Sequence, residues 1–312
     1  MASRRAKSTT PDLGPAPRRI TVDAAQVRGL VAEQFPEWAG LPVRPVAESG
    51  WDNRTFRIGD DMLARLPSAA EYALAVDKEQ RWLPLLAPRL PLPVPVPLAK
   101  GQPGAGYPFE WSVYRWRDGE PATTARISDP VRFAVDLAGF LAALRAIDTT
   151  GGPRPGKHNW FRGAGLRTYD AQTERALTAL DGDFDTGPAR EIWKAALDSP
   201  WDGTDRWFHG DIAPGNLLLD GGELAAVIDF GTCGVGDPSC DLAVAWTSLT
   251  AAGRRAFRER LSVDDPEWER GRGWALWKAL ITCARMRDRV DEEAVNARRV
   301  LAGILAGPSG AR

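Results

Sequence analysis

Cysteine and histidine are scarce, three of one and two of the other in 312 residues. Cys233, Cys240 and Cys283 form an odd set with no CxxC pair, and His158 and His209 are too few to complete a Cys/His cage. Neither a disulfide framework nor a structural zinc is therefore expected, and a reducing cytoplasmic setting suits the chain. Long apolar runs are missing, so no membrane span is expected. The N-terminal MASRRAKSTTPDLGPAPRR is followed by no apolar stretch of the kind a secretory signal needs. Excess charge is missing as well. Forty basic residues against 41 acidic ones leave a net charge of -1, which argues against a nucleic-acid partner held by broad phosphate neutralisation. No G-x-x-x-x-G-K-[ST] loop and no repeat of solenoid period occur. What is present is ordinary for a globular protein: 44% hydrophobic and 26% charged residues, in a chain long enough to bury a core without covalent staples.

The texture changes along the chain. Residues 1–19 carry five Arg/Lys among small, turn-forming residues and read as a flexible tail. Thr21 is placed to cap a helix that runs to about Phe35. Short β-type runs follow at Val43 to Ala47, Thr55 to Ile58 and Met62 to Leu66, separated by turn-rich segments, which predicts an antiparallel meander. Tyr72 to Leu86 has helical periodicity. The next segment, PRLPLPVPVPLAKGQPGAGYP, has prolines that forbid a helix or a central strand and reads as an extended connector. WSVYRW (111–116) reads as a buried strand. Beyond it lie a long amphipathic helix from Val131 to Ile147 and helical stretches near 166–180, 188–198, 238–261, 266–287 and 291–305. The order is a strand-rich lobe over 20–117, then a larger helical lobe over 118–312 with a β island at 206–230.

The chemistry-bearing segment is WFHGDIAPGNLLLDGGELAAVIDFGTCGVGDPSCDLAVAW, residues 207–246. A tight HGDIAPGN turn leads into a hairpin with Asp220-Gly221-Gly222 at its tip, and Asp229 leaves that hairpin beside Phe230 and Gly231. Asp211, Asn216 and Asp229 thus fall on loops at strand ends, where catalytic groups usually sit. Two of them, Asn216 and Asp229, suit Mg²⁺, a hard cation that takes one or two protein oxygens together with substrate phosphates.

His209-Gly210-Asp211 with four residues before Asn216, the literal Asp229-Phe230-Gly231, and GDPSCDLA (236–243) resemble the aminoglycoside phosphotransferase family. The resemblance implies an α+β, protein-kinase-like two-lobe fold and the D-x4-N plus D-F-G layout of phosphoryl transfer. It implies further that Asp211 orients or accepts the proton of an acceptor hydroxyl, while Asn216 and Asp229 hold magnesium on the phosphates of ATP or GTP. His209, Asp237 and Asp241 read instead as loop supports and caps. In the first lobe the pattern requires a cation on a strand paired with a glutamate on the next helix, and the sequence offers Arg65 in MLARLP and Glu79 in KEQRWLPLLA. Arginine stands where many family members carry lysine, and Lys78 is an alternative cation if the helix phase differs. By position, Ser49-Gly50-Trp51-Asp52-Asn53 matches the turn that covers the nucleotide. The backbone at Tyr114, Arg115 and Trp116 matches the strand that meets the base.

The resemblance implies an O-phosphotransferase acting as a monomer or homodimer on a hydroxylated small molecule. An antibiotic of aminoglycoside, macrolide or nucleoside type is the leading acceptor, which would make the enzyme a resistance factor. The alternatives are a kinase of the choline, homoserine or sugar type and a nucleotide-binding pseudokinase. Between residues 148 and 205 ten acidic residues face seven basic ones, and Asp170, Glu174, Asp181, Asp183 and Asp185 form a cluster able to attract a polycation or simply to solvate a helix face. Most of the 13 tryptophans are expected in the core, with a few left to line a pocket.

Overall fold

The computed structural model describes residues 17–46, 50, 52–123 and 126–306. Most of the expected tail, and Ser49 and Trp51 of the covering turn, lie outside them. Helix α1 (Ala24–Gln34) buries Val27, Leu30 and Val31. Its cap is Asp23, whose carboxylate accepts from the Gln26 N–H, and not Thr21: a short acceptor three residues before the free donor reaches it directly.

Strands β1 (Val43–Pro45), β2 (Asn53–Ile58) and β3 (Met62–Pro67) form the expected antiparallel meander. Two short helices follow, α2 (Ala70–Ala73) and α3 (Val76–Leu86), so the predicted helix from Tyr72 is broken near Leu74. The proline-rich connector then holds a strand that sequence reading missed, β4 (Pro97–Gly101). Among the described residues it pairs only with β5 (Trp111–Arg115), giving the order β1-β2-β3-β5-β4. Proline is tolerated there because an edge strand leaves one side of its backbone unpaired. Arg65 falls in the middle of this sheet, opposite Thr55 on β2 and Ser112 on β5.

A two-residue strand, β6 (Glu120–Pro121), leads to helix α4 (Pro130–Arg145), capped by Asp129. Helices α5 (Asp170–Ala179) and α6 (Gly187–Asp198) follow. The β island comprises β7 (Arg206–Phe208), β8 (Leu217–Asp220), β9 (Glu223–Val227) and β10 (Gly234–Gly236). β8 and β9 make the expected hairpin, flanked by β6, while β7 pairs antiparallel with β10. The predicted helix over 238–261 divides into a 3-10 stretch at Pro238–Ala243, α7 (Val244–Thr247) and α8 (Ala251–Leu261). Helices α9 (Asp265–Arg285) and α10 (Glu292–Leu305) complete the helical lobe. α9 runs through its centre, against α5, α6, α10 and the 3-10 stretch.

One apolar cluster joins the lobes. Trp82, Leu83 and Leu86 of α3 pack with Phe140 and Leu141 of α4, Trp207 of β7 and Phe230. The indoles of Trp82 and Trp207 meet edge to face at 5.1 Å. Of the described tryptophans, Trp82, Trp111, Trp193, Trp207, Trp274 and Trp277 are buried in the core, whereas Trp201 is exposed. Among the described residues no helix is long and apolar enough to cross a membrane.

Candidate active site

The β7–β8 turn is locked by its own sequence. Gly210 has φ +89°, and a Cβ there would stand 2.6 Å from the Thr232 carbonyl oxygen, so the position excludes a side chain. The amides of His209 and Gly210 donate to the two carboxylate oxygens of Asp241 at 2.9 and 2.7 Å. Asp241 is fully buried, and burial pushes its pKa up against those two bonds. His209 is also fully buried, with its ring against Phe230, Nε2 donating to the Ile228 carbonyl at 3.0 Å and Nδ1 accepting from the Asp211 amide at 3.3 Å. Asp237 caps Ser239 and forms a buried ion pair with Arg270 at 2.8 Å. All three residues thus support the backbone, as their sequence context predicts.

Asp211 and Asp229, by contrast, keep partly exposed carboxylates. Asn216 Nδ2 donates to the Asp211 carbonyl at 2.9 Å and to its Oδ2 at 3.2 Å, which fixes the D-x4-N loop. Asp211 Oδ1 accepts from Lys278 Nζ at 2.5 Å. Burial acts to raise the Asp211 pKa, but the charge and hydrogen bond of Lys278, aided by Arg162, prevail and pull it down to about 2. Asp229 adopts a left-handed backbone, φ 65°, and accepts from the Gly231 amide.

Arg65 reaches this loop from the sheet. Its guanidinium lies 3.3 Å from Glu79 and 2.6 Å from Asp229. Burial opposes the arginine's charge, but Asp229 and Glu79 outweigh it and hold its pKa above the ordinary value. Tyr114 donates its hydroxyl to the other Glu79 oxygen at 2.9 Å. The sequence-predicted Arg65, Glu79, Tyr114 and Asp229 therefore converge, and Asp211 and Asn216 pair on the facing loop. Trp116 stands apart: its indole donates to Asp118 and stacks under Arg57, and the amides of Arg115 and Trp116 are engaged by the Val96 and Asp61 carbonyls. Neither amide is a free donor for a base edge.

Lys78 is no alternative phosphate ligand. Its buried ammonium donates to the carbonyls of Gly231 and Cys233 at 2.6 and 3.0 Å, tying α3 to the D-F-G turn, and burial lowers its pKa. Two residues, Lys278 and Arg162, escaped the sequence reading, and a third, Asp52, was read only as part of the covering turn. Lys278 left one faint signal, an ionisable residue inside the apolar WALWKALI of α9. Arg162 donates from Nε to the Gly210 carbonyl at 3.2 Å and lies over the Trp277 ring at 4.6 Å. Asp52 lies in the electrostatic field of Asp229, Arg65 and Asp211. Burial, reinforced by the two aspartates, pushes its pKa up to about 6.

The oxygens present suit magnesium. With its amide nitrogen turned to Asp211, Asn216 has its oxygen free of protein partners among the described residues, and Asp229 offers a partly exposed carboxylate. Among the described residues no group of three or more His, Cys, Asp or Glu is arranged to hold an ion alone. Two protein oxygens are what an ion arriving with phosphates needs.

A sequence model of the phosphotransferase enzyme family matches residues 43–274, from β1 to the middle of α9. The chain belongs to the phosphotransferase enzyme family. No curated protein matches it in sequence. Among solved structures this phosphotransferase is similar to the GDP complex of wild-type aminoglycoside 2'-phosphotransferase-IIIa, at 19% identity and TM-score 0.69 over 91% of this chain and 99% of that one. It is also similar to macrolide 2'-phosphotransferase type I, at 20% identity and TM-score 0.60 over 95% and 100% of the two chains. The apoenzyme of macrolide 2'-phosphotransferase MphH from Brachybacterium faecium matches at 23% identity and TM-score 0.57, over 92% and 99%. The phosphotransferase therefore has the protein-kinase-like two-lobe fold and is a small-molecule kinase.

Proposed function

We propose that the protein transfers the γ-phosphoryl group of ATP or GTP to a hydroxyl of a small molecule of antibiotic type, with aminoglycosides, macrolides and nucleoside antibiotics as the candidate classes. Residues 20–117 form the nucleotide-binding lobe and residues 118–312 carry the catalytic loop and the acceptor site. The observation that carries this reading is the convergence of Arg65 from the sheet and Glu79 from α3 with Asp229, opposite the Asp211–Asn216 loop.

Arg65 grips the nucleotide phosphates, and Glu79, itself oriented by the Tyr114 hydroxyl, holds the guanidinium in place. Asn216 and Asp229 are the residues that would hold Mg²⁺, which supplies charge neutralisation on the phosphate oxygens. Asp211 accepts a hydrogen bond from the attacking hydroxyl and orients its lone pair toward phosphorus. With a pKa of about 2 it stays ionised and is a weak base. That suffices, because the loose phosphoryl-transfer transition state demands positioning and charge stabilisation before it demands proton removal.

The test is nucleoside diphosphate release by the full chain with Mg-ATP and Mg-GTP across those three antibiotic classes, choline and homoserine. Release that depends on an acceptor and vanishes in Asp211→Ala supports the reading. Acceptor-dependent release that persists in Asp211→Ala would sink it.

A further inference from the structure

The acceptor must bring its hydroxyl to Asp211, so the charges around that carboxylate select what approaches. Lys278 Nζ is 2.5 Å from Asp211 Oδ1, with both side chains partly exposed. Behind the loop, Arg162 adds a second positive charge against the Gly210 carbonyl, its guanidinium 4.6 and 5.4 Å from the rings of Trp277 and Trp274. From Arg270 to Arg285, helix α9 carries Arg270, Arg272, Lys278 and Arg285 and no acidic residue.

The acidic cluster that might have balanced these cations is engaged elsewhere. Asp170 accepts from the Trp193 indole at 2.8 Å, and Glu174 is paired with Arg190. Asp183 is paired with Arg287 at 2.7 Å, and Asp185 caps Gly187. Asp181, the fifth member, is exposed at the end of the same turn. Of the other carboxylates around the catalytic loop, Asp241 is buried and taken up by the amides of His209 and Gly210, while Asp52 and Asp229 lie on the nucleotide side with Arg65.

A site meant for a polycation needs unpaired carboxylates around the reacting hydroxyl; here the nearest one is already neutralised by a lysine. We propose that the acceptor's reacting end is neutral or anionic, and that Lys278, backed by Arg162, selects against polycationic aminosugars. This rests on the phosphotransfer reading above. Lys278 has a partner it can leave: an acceptor hydroxyl taking its place on Asp211 frees the ammonium for an oxygen of the acceptor or of the phosphoryl group. The buried rings of Tyr169, Trp274 and Trp277, which meet at 4.7 to 5.7 Å, lie under the Arg162 guanidinium and hold this second charge in place.

The experiment measures, with the nucleotide-loaded full chain, both phosphorylation and equilibrium binding of kanamycin as polycation, uridine as neutral probe and a methyl glucuronide as anion. Lys278→Gln and Lys278→Arg are run beside the natural chain. The natural chain is expected to favour the neutral or anionic probe. Lys278→Gln should raise the kanamycin-to-neutral ratio of kcat/KM, or of association constants, about tenfold, and Lys278→Arg should restore it, since only charge selection responds to the sign of one side chain. Kanamycin preferred by the natural chain, a ratio that moves less than about twofold in Lys278→Gln, or no binding of either uncharged or anionic probe overturns the inference. Lys278-dependent binding without nucleoside diphosphate release for any probe would instead count against the phosphotransfer reading and leave the charge selection standing.

Discussion

The reactive loop of the helical lobe and the charge cluster of the sheet lobe meet across the cleft, yet they are held by different kinds of bond. In the loop, the backbone amides of His209 and Gly210 are clamped by the buried Asp241, and Asn216 closes the turn from within five residues. In the sheet lobe, Arg65 is held by the carboxylates of Glu79 and Asp229, one from a neighbouring helix and one from 164 residues away. The Asp241 clamp is made by buried groups that entering phosphates and a cation need not displace. Side-chain ion pairs between lobes have to be exchanged when phosphates and a cation enter. The loop is thus a fixed platform, while the Arg65 cluster is a set of contacts ready to be replaced.

Breaking each half should give a different symptom. The largest effect is expected from Asp211→Ala, a loss of about a thousandfold or more in kcat with thermal stability close to that of the natural chain, because its lost partner Lys278 is partly exposed. Steady-state kinetics beside a melting curve checks both halves of that statement. Asp241→Ala should lower stability as well as activity. Two buried amides lose their acceptor, at a cost of about 3 kcal/mol read by denaturant unfolding, and activity falls because the platform loosens. Arg65→Met is expected to lower kcat/KM for the nucleotide by about 100-fold, with Arg65→Lys recovering part of it. A variant that bound nucleotide normally would place the phosphate cation elsewhere.

The smallest effect concerns pH. The Asp52 pKa rises from 3.8 to about 6 in the folded chain, so the folded state favours its protonated form. The associated stability is fully present below the ordinary carboxylate value and is lost as pH climbs through about 6. In the absence of nucleotide, Asp52→Asn should therefore melt higher than the natural chain at pH 7 and level with it at pH 4. Melting curves across that range would refute the assignment if the two proteins ran in parallel.

How much of this was legible in the sequence follows the same division. HGDxxxxN, the Asp220-Gly221-Gly222 hairpin, D-F-G and the supporting Asp237 and Asp241 are local patterns whose partners lie within a few dozen residues, and their geometry follows from turn chemistry. Arg65 and Glu79 were legible as a strand cation and a helix carboxylate, but the contact of Arg65 with Asp229 was not. Lys278 was hidden for the same reason: its partner is 67 residues away, and only the packing of α9 against the catalytic loop brings them together. The strand Pro97–Gly101 was masked by its prolines, whose exclusion from sheets holds for central strands and not for edges. The cap of α1 was displaced by two residues because Thr21 and Asp23 are both competent acceptors.

The three thiols give the molecule an internal clock. Cys233, Cys240 and Cys283 are all buried and unpaired, and burial pushes each above its ordinary pKa, Cys233 to about 11. A thiol reagent can reach none of them until something opens. Cys233 sits beneath α3, in the apolar seam between the lobes, while Cys240 and Cys283 belong to the core around α9. The rate at which Cys233 is alkylated therefore times the parting of the lobes, and the rate at the other two times the breathing of the helical core, in one unmodified chain.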